Sequence, residues 1–136
     1  MSPRSRMISV STKSPYAVLA LAELAQRAGP EPVPIGELAR ARDVPVQFLE
    51  QLFATLRRAG IISSQRGVKG GYRFARDPAD VTVLEVVELL DGPLGRDADG
   101  VFADAARAAR EVLAATTIAA VIERERSEAG ASMYHI

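Results

Sequence analysis

Between Ile35 and Phe74 the chain passes from helical to strand periodicity with only short breaks between the pieces. "IGELARAR" reads as a short helix over roughly 35–42. Asp43-Val44-Pro45 breaks it, and a second helix runs from about Pro45 to Ala59, stopped by Gly60. Leu38, Leu49, Leu52, Phe53 and Leu56 form the apolar stripe of the pair. "IISSQ" and "YRFAR" then read as short strands joined by "RGVKGG", whose glycines supply the positive φ of a hairpin tip. A helix pair alone matches the helix-turn-helix outline only weakly, because generic helical hairpins are common. A basic hairpin directly after the pair is the order of a winged helix.

The flanks complete the outline. "TKSPYAVLALAELAQRAG" reads as a helix capped by Thr12 or Ser14, with Pro15 in its first turn and Gly29 at its end. Tyr16, Leu19, Ala20 and Leu24 lie along one face of it. "PEPVP" forbids helix and leaves Val33 a short extended piece. "VTVLEVVELLDG" is a further short helix with Thr82 as cap, and "PLGRDADG" is a loop. From Val101 to about Ser127 one long helix is expected. Phe102, Ala105, Ala109, Val112, Thr116 and Ala119 recur along it at steps of three and four, and such small residues let a partner helix come close. It is read as a dimerisation helix, against the competing reading that it packs back on its own domain. "AGASMYHI" is expected to be a disordered tail.

The fold class expected is therefore mainly α with a small β-hairpin wing. It comprises a winged helix-turn-helix domain over 7–92, a loop and long dimerisation helix over 93–127, and a disordered tail over 128–136.

Charge divides the chain. Residues 1–76 hold twelve Lys/Arg against five Asp/Glu, a balance of +7, and residues 77–136 hold five against twelve, a balance of −7. A basic half of this kind points to a polyanion and leaves the acidic half another task. Cysteine is absent, which excludes a disulfide framework, a thiolate zinc site and a cysteine-bound iron–sulfur cluster. No apolar run approaches the roughly eighteen residues of a membrane span, and the basic N-terminus lacks an apolar leader core. A cytoplasmic protein without a membrane partner is expected.

Catalytic constellations are thin. The only histidine, His135, falls in the expected tail, so the usual nucleophile–base pairings are nearly absent and no enzyme is expected. Asp97, Asp99 and Asp104 resemble the start of a calcium loop, but Ala108 stands where the bidentate glutamate belongs, so they read as a solvated loop. No cofactor and no metal site follows. The glycine finger lacks the phosphate-loop pattern and no helix follows it.

As a wing the finger makes physical sense. Arg66 at its base can enter a minor groove, where narrow A·T-rich DNA concentrates negative potential, and Lys69 and Arg73 are placed for phosphates. Gln47, Phe48, Glu50 and Gln51 fall on the first turns of the second helix, where base edges are met. Gln47 or Gln51 can pair with adenine, Glu50 can accept from cytosine N4, and Phe48 either packs on a thymine methyl or belongs to the core. An acid within a basic surface points to base reading rather than general adhesion. Arg57 and Arg58 favour the helix dipole, and Arg57 is a further candidate contact.

Together "ISVSTKSPYAVLALAELA" and "VPVQFLEQLFATLRRAGIISSQRGVKGGYRFARDPADVTVLEVVELLDGPL" resemble the Rrf-two type of winged-helix transcription regulators. The resemblance runs from about Met7 to Leu94. Its most specific stretches are Phe48 to Phe53, Leu56-Arg57 and Ser64 to Tyr72. It implies a homodimer joined by a long C-terminal helix and reading a partly palindromic operator in double-stranded DNA. It implies base contacts at Phe48, Glu50 and Gln51 and a wing arginine at Arg66, while Ser11, Thr12 and Lys13 match the family's N-terminal stretch and would touch phosphates. Many members carry three cysteines after "DGPL" that hold an iron–sulfur cluster. Here that region reads "GRDADGVFADAARAAREVL", so the chain resembles the cluster-free branch, whose signal is a small molecule, a partner protein or unknown. The leading expectation is a dimeric, sequence-specific repressor. The alternative is a protein-interaction adaptor that keeps the fold without reading DNA.

Overall fold

Thr12 occupies the position before the first helix, α1 (Lys13–Gln26), but its hydroxyl makes no capping bond. The structure, a computed structural model, describes residues 10–27 and 29–133. The expected basic arm and His135 lie outside the described residues. Ser14, the other expected cap, is instead only 1% exposed, and its hydroxyl donates to Asp91 Oδ2 at 2.5 Å. Ala17, Ala20, Leu21 and Leu24 return every three or four residues, so one face of α1 is buried against the core.

The helix pair forms as α2 (Ile35–Arg42) and α3 (Val46–Arg58). Between them Asp43 turns left-handed, at φ 54 and ψ 49, a conformation that Asp tolerates better than most residues. That kink lets the N–H of Val44 reach the Ala39 carbonyl at 2.9 Å, so the end of α2 keeps a partner for its last turn. Pro45 then caps α3, where its missing N–H costs nothing. Leu38, Leu49, Leu52, Phe53 and Leu56 are all buried in one cluster with Ala17, Ala20 and Leu21 of α1.

The wing is an antiparallel hairpin of β1 (Ile62–Gln65) and β2 (Gly71–Phe74), in the register Ile62↔Phe74, Ser63↔Arg73, Ser64↔Tyr72 and Gln65↔Gly71. Val33 adds a single bridge on the free edge of β2, exchanging bonds of 2.8 Å in both directions with Tyr72. Gly71 makes that approach feasible, since a Cβ there would sit 2.3 Å from the Val33 carbonyl oxygen. Tyr72 also meets Phe53 edge-on, with centroids 5.0 Å apart, so the wing is pinned to the buried face of α3.

After a 3-10 turn at Pro78–Asp80, α4 (Val83–Asp91) starts at Thr82, whose hydroxyl accepts from the Glu85 N–H at 3.1 Å. The long helix expected over 101–127 is not continuous. It divides into α5 (Gly100–Ala114) and α6 (Ile118–Met133). Thr117 pairs as an isolated bridge with Thr82, the Thr116 carbonyl accepts from Val83 N–H at 2.8 Å, and Ile118 N–H donates to the Val81 carbonyl at 2.9 Å. Thr117 then caps α6 by accepting from Ala120 N–H at 3.0 Å. Two β-branched threonines give up helix cheaply, and burial of Ile118 and Ile122 rewards the turn back onto α1. α6 extends through Glu128 to Met133, so these residues of the expected tail are helical, and 134–136 lie outside the described residues.

Candidate nucleic-acid interface

Every third or fourth residue of α3 that is not buried faces outward. Gln47, Glu50, Gln51, Arg57 and Arg58 are exposed on that face, opposite the buried Leu49, Leu52, Phe53 and Leu56. Phe48 lies at the edge between the two faces. It is half-buried against the core and meets Tyr16 edge-on at 5.7 Å. Its ring thus braces α3 on α1 while one side stays accessible.

Between the outer face of α3 and the wing lies a concavity of about 550 Å³. Glu50, Ala54 and Arg57 form one wall, and Gln65, Arg66 and Gly67 form part of the other. Residues 50 and 66 come from different elements, so only the packing of the wing on α3 brings them together. Arg57, Arg66 and Lys69 are exposed, and among the described residues none makes an ion pair or a side-chain hydrogen bond. Some other arginines of the basic half have partners within the chain, though Arg73 meets only a neutral amide and keeps its charge. Arg42 and Arg76 are ion-paired, and Arg73 donates to Gln65 Oε1 at 2.9 Å. Uncompensated positive charge therefore gathers where α3 and the wing meet, beside a lone carboxylate at Glu50. Val68, at the hairpin tip, is fully exposed.

Not all candidate residues share that concavity. Gln47 and Gln51 flank it on the α3 face, and Lys69 lies beyond it at the tip. Ser11, Thr12 and Lys13 do not line it. Ser11 is half-buried, with its hydroxyl donated to Asp91 Oδ1 at 2.5 Å and its oxygen accepting from Lys13 N–H at 3.2 Å. Thr12 and Lys13 are exposed. The dimer stripe is divided by the break before α6. Phe102, Ala105, Ala109 and Val112 belong to α5, Thr116 lies in the break with its hydroxyl on the Val112 carbonyl, and Ala119 is half-buried on α6. Phe102 and Val112 remain 51% and 65% exposed.

The sequence reading missed the start of α2. Pro34, Ile35 and Gly36 also line the concavity, presenting the opening turn of a helix, whose first N–H groups lack intrahelical partners. No polar side chain marks them, so only the placement of the first helix in a helix-turn-helix outline would have pointed there.

Residues 10–99 match the family model for Rrf2, described as "Iron-dependent Transcriptional regulator". The regulator IscR of Cereibacter sphaeroides is 41% identical over 86 residues, covering 62% of this chain and 56% of that protein. CymR of Bacillus subtilis is 33% identical over 87 residues, covering 64% and 63%. The chain thus spans about half the length of the curated relatives it matches. Among solved structures, IscR of T. potens superposes with a TM-score of 0.76 at 36% identity, covering 87% of this chain and 88% of that one. The B. subtilis cysteine regulator CymR gives 0.77 at 29% identity, covering 87% and 98%.

The iron in the family's description finds no ligands here. The sequence has no cysteine and one histidine, and among the described residues no three His, Cys, Asp or Glu side chains cluster to hold a metal. Nor is any described helix long and apolar enough to cross a membrane. With a helix pair and wing assembled as in IscR and CymR, and a family match over most of its length, the chain belongs to the Rrf2 family of transcriptional regulators.

Proposed function

We propose that the chain is a sequence-specific DNA-binding repressor that acts as a homodimer in the cytoplasm. The observation that carries this reading is the shared concavity of Glu50, Arg57 and Arg66 between α3 and the wing. α3 lies in a major groove with Gln47, Glu50 and Gln51 at base edges, the two glutamines pairing with adenine and Glu50 accepting from cytosine N4. The accessible side of Phe48 packs on a thymine methyl. Arg66 enters the neighbouring minor groove, and Arg57, Lys69, Arg73, Thr12 and Lys13 hold phosphates. Ser11 acts through Asp91 as a support for that segment.

A second copy supplies the symmetry. The exposed apolar side of α5, with Phe102, Ala105 and Val112, packs against its equivalent, and Ala109 lets the helices approach. Two α3 helices must then enter successive major grooves about 34 Å apart, so any effector that alters the crossing of the α5 helices alters affinity. That effector is a small molecule or a partner protein.

The deciding experiment is a mobility-shift assay on genomic fragments with excess competitor DNA, joined to sedimentation of the free and bound protein. Retention of a discrete fragment by a two-to-one complex is the expected result. Uniform, competitor-sensitive binding, or none, favours an adaptor that keeps the fold without reading DNA.

A further inference from the structure

Glu85, Glu88 and Asp91 stand three residues apart along α4, one on each turn, and each carboxylate holds a different element. Glu85 takes two bonds from Arg76, just past the wing, at 2.7 and 2.9 Å. Glu88 pairs with Arg110 of α5. Asp91 accepts from Ser11 and from the buried Ser14 at the start of α1, at 2.5 Å each. The ridge therefore fastens the exit of the wing, α5 and the opening of α1 to one short helix.

We propose that this chain reads DNA without iron, and that the acidic ridge of α4 sets the wing, α1 and α5 relative to one another. The inference rests on the regulator reading above. Its chemical basis is the donor set. Iron–sulfur clusters need thiolates, with histidine replacing at most two of them, and mononuclear ferrous sites are commonly built on two histidines and a carboxylate. One histidine and no cysteine in the whole chain satisfy neither. The carboxylates that line up best for an oxygen-donor site, those of α4, are already committed to Arg76, Arg110 and two serine hydroxyls. Half-exposed ion pairs such as those of Arg76 and Arg110 add little stability. Their value lies in direction, since each fixes one element against the same helix.

Operator affinity should be measured by fluorescence anisotropy on iron-free protein, with ferrous iron under nitrogen, and with ferrous iron plus sulfide. Visible absorption and iron analysis after gel filtration accompany each arm. Affinity is expected to agree within about twofold across the arms, with no retained iron. Stoichiometric iron together with a shifted affinity overturns the iron-free reading. Wild type that binds no operator at all removes the regulator reading instead, so the two failures are distinguishable.

The ridge is tested in the same assay. Asp91→Ala should weaken operator binding about tenfold, the order expected for loss of charge-assisted bonds, with the salt slope and the active fraction unchanged. Asp91→Asn, which still accepts through one oxygen, should recover part of the loss. Arg110→Ala, in case Asp91→Ala fails to fold, should weaken binding about threefold. Wild-type affinity in Asp91→Ala, or in Arg110→Ala where Asp91→Ala is unfolded, removes the ridge from the mechanism.

Discussion

Arg42 at the end of α2 and Glu125 on α6 are 83 positions apart and form a two-pronged ion pair, Nη1 to Oε2 at 2.7 Å and Nη2 to Oε1 at 2.9 Å. Arg42 Nε also donates to Glu23 Oε1 at 2.9 Å, and the Arg42 side chain is only 15% exposed. Three elements, α1, α2 and α6, thus close around one guanidinium, with the fork geometry that suits arginine and not lysine. Arg42→Ala leaves two carboxylates facing each other in a half-buried site. It is expected to lower unfolding free energy by about 2–3 kcal/mol, read from urea titration. Arg42→Lys should recover less than half of that loss.

The same cluster sets an acid sensitivity. The hydrogen bond from Arg27, aided by Arg42, holds the Glu23 carboxyl below its ordinary range, and Arg42 does the same for Glu125. Both pKa values are depressed on folding. Their stabilisation is therefore complete above the unfolded value, about 4.3, and is lost as pH falls through the folded values. Urea midpoints of wild type should drop on going from about pH 6 to about pH 3, and a Glu23→Gln/Glu125→Gln variant should show a shallower drop.

Arg66→Ala removes an unpaired cation from the concavity without touching the core. Binding to the operator should weaken, and the slope of log K against log salt should fall by about one, the signature of a lost phosphate or groove cation. Equal affinity to wild type at several salt concentrations would remove Arg66 from the interface.

Glu50→Ala should act differently. A carboxylate near phosphates repels them, so its loss leaves overall affinity nearly unchanged while preference at the position it reads falls by about 1–3 kcal/mol. Selection from a random DNA library should return a consensus relaxed at one position in each half-site. The same consensus for both proteins contradicts the assignment.

Gly71→Ala tests the wing's attachment. Its Cβ would meet the Val33 carbonyl oxygen at 2.3 Å and the Pro34 nitrogen at 2.7 Å, and these are backbone atoms that cannot swing aside. The Val33 bridge must open, with an expected cost of about 2–3 kcal/mol in stability. Operator affinity should fall even where the protein remains folded, because Tyr72 no longer anchors the hairpin to Phe53.

Local rules made most of the described residues from 10 to 91 legible. Pro45, Gly60 and the leucine stripe of α3 mark boundaries and faces that depend on neighbours three or four residues away, and the wing's glycines announce its turn. Long-range choices were not legible in the same way. Thr116 and Thr117 are weak helix formers rather than breakers, so the pattern through Val101 and Ser127 passes for one helix. Pairing with Val81 and Thr82, some thirty-five positions earlier, is what interrupts it. Ser14 likewise carries a capping side chain, yet it turns inward because Asp91 waits there.

By itself the sequence determined the order of elements as far as α4, the basic character of the first half and the absence of thiolate chemistry, since each follows from residue type and short spacing. Tertiary structure alone decided that Glu50, Arg57 and Arg66 face one concavity. It also decided which arginines are spent on Glu85 and Glu125 and that the C-terminal helix folds back over α1. Those outcomes depend on which side chains meet after the chain closes on itself, and no spacing along the chain encodes a meeting between residues far apart in it.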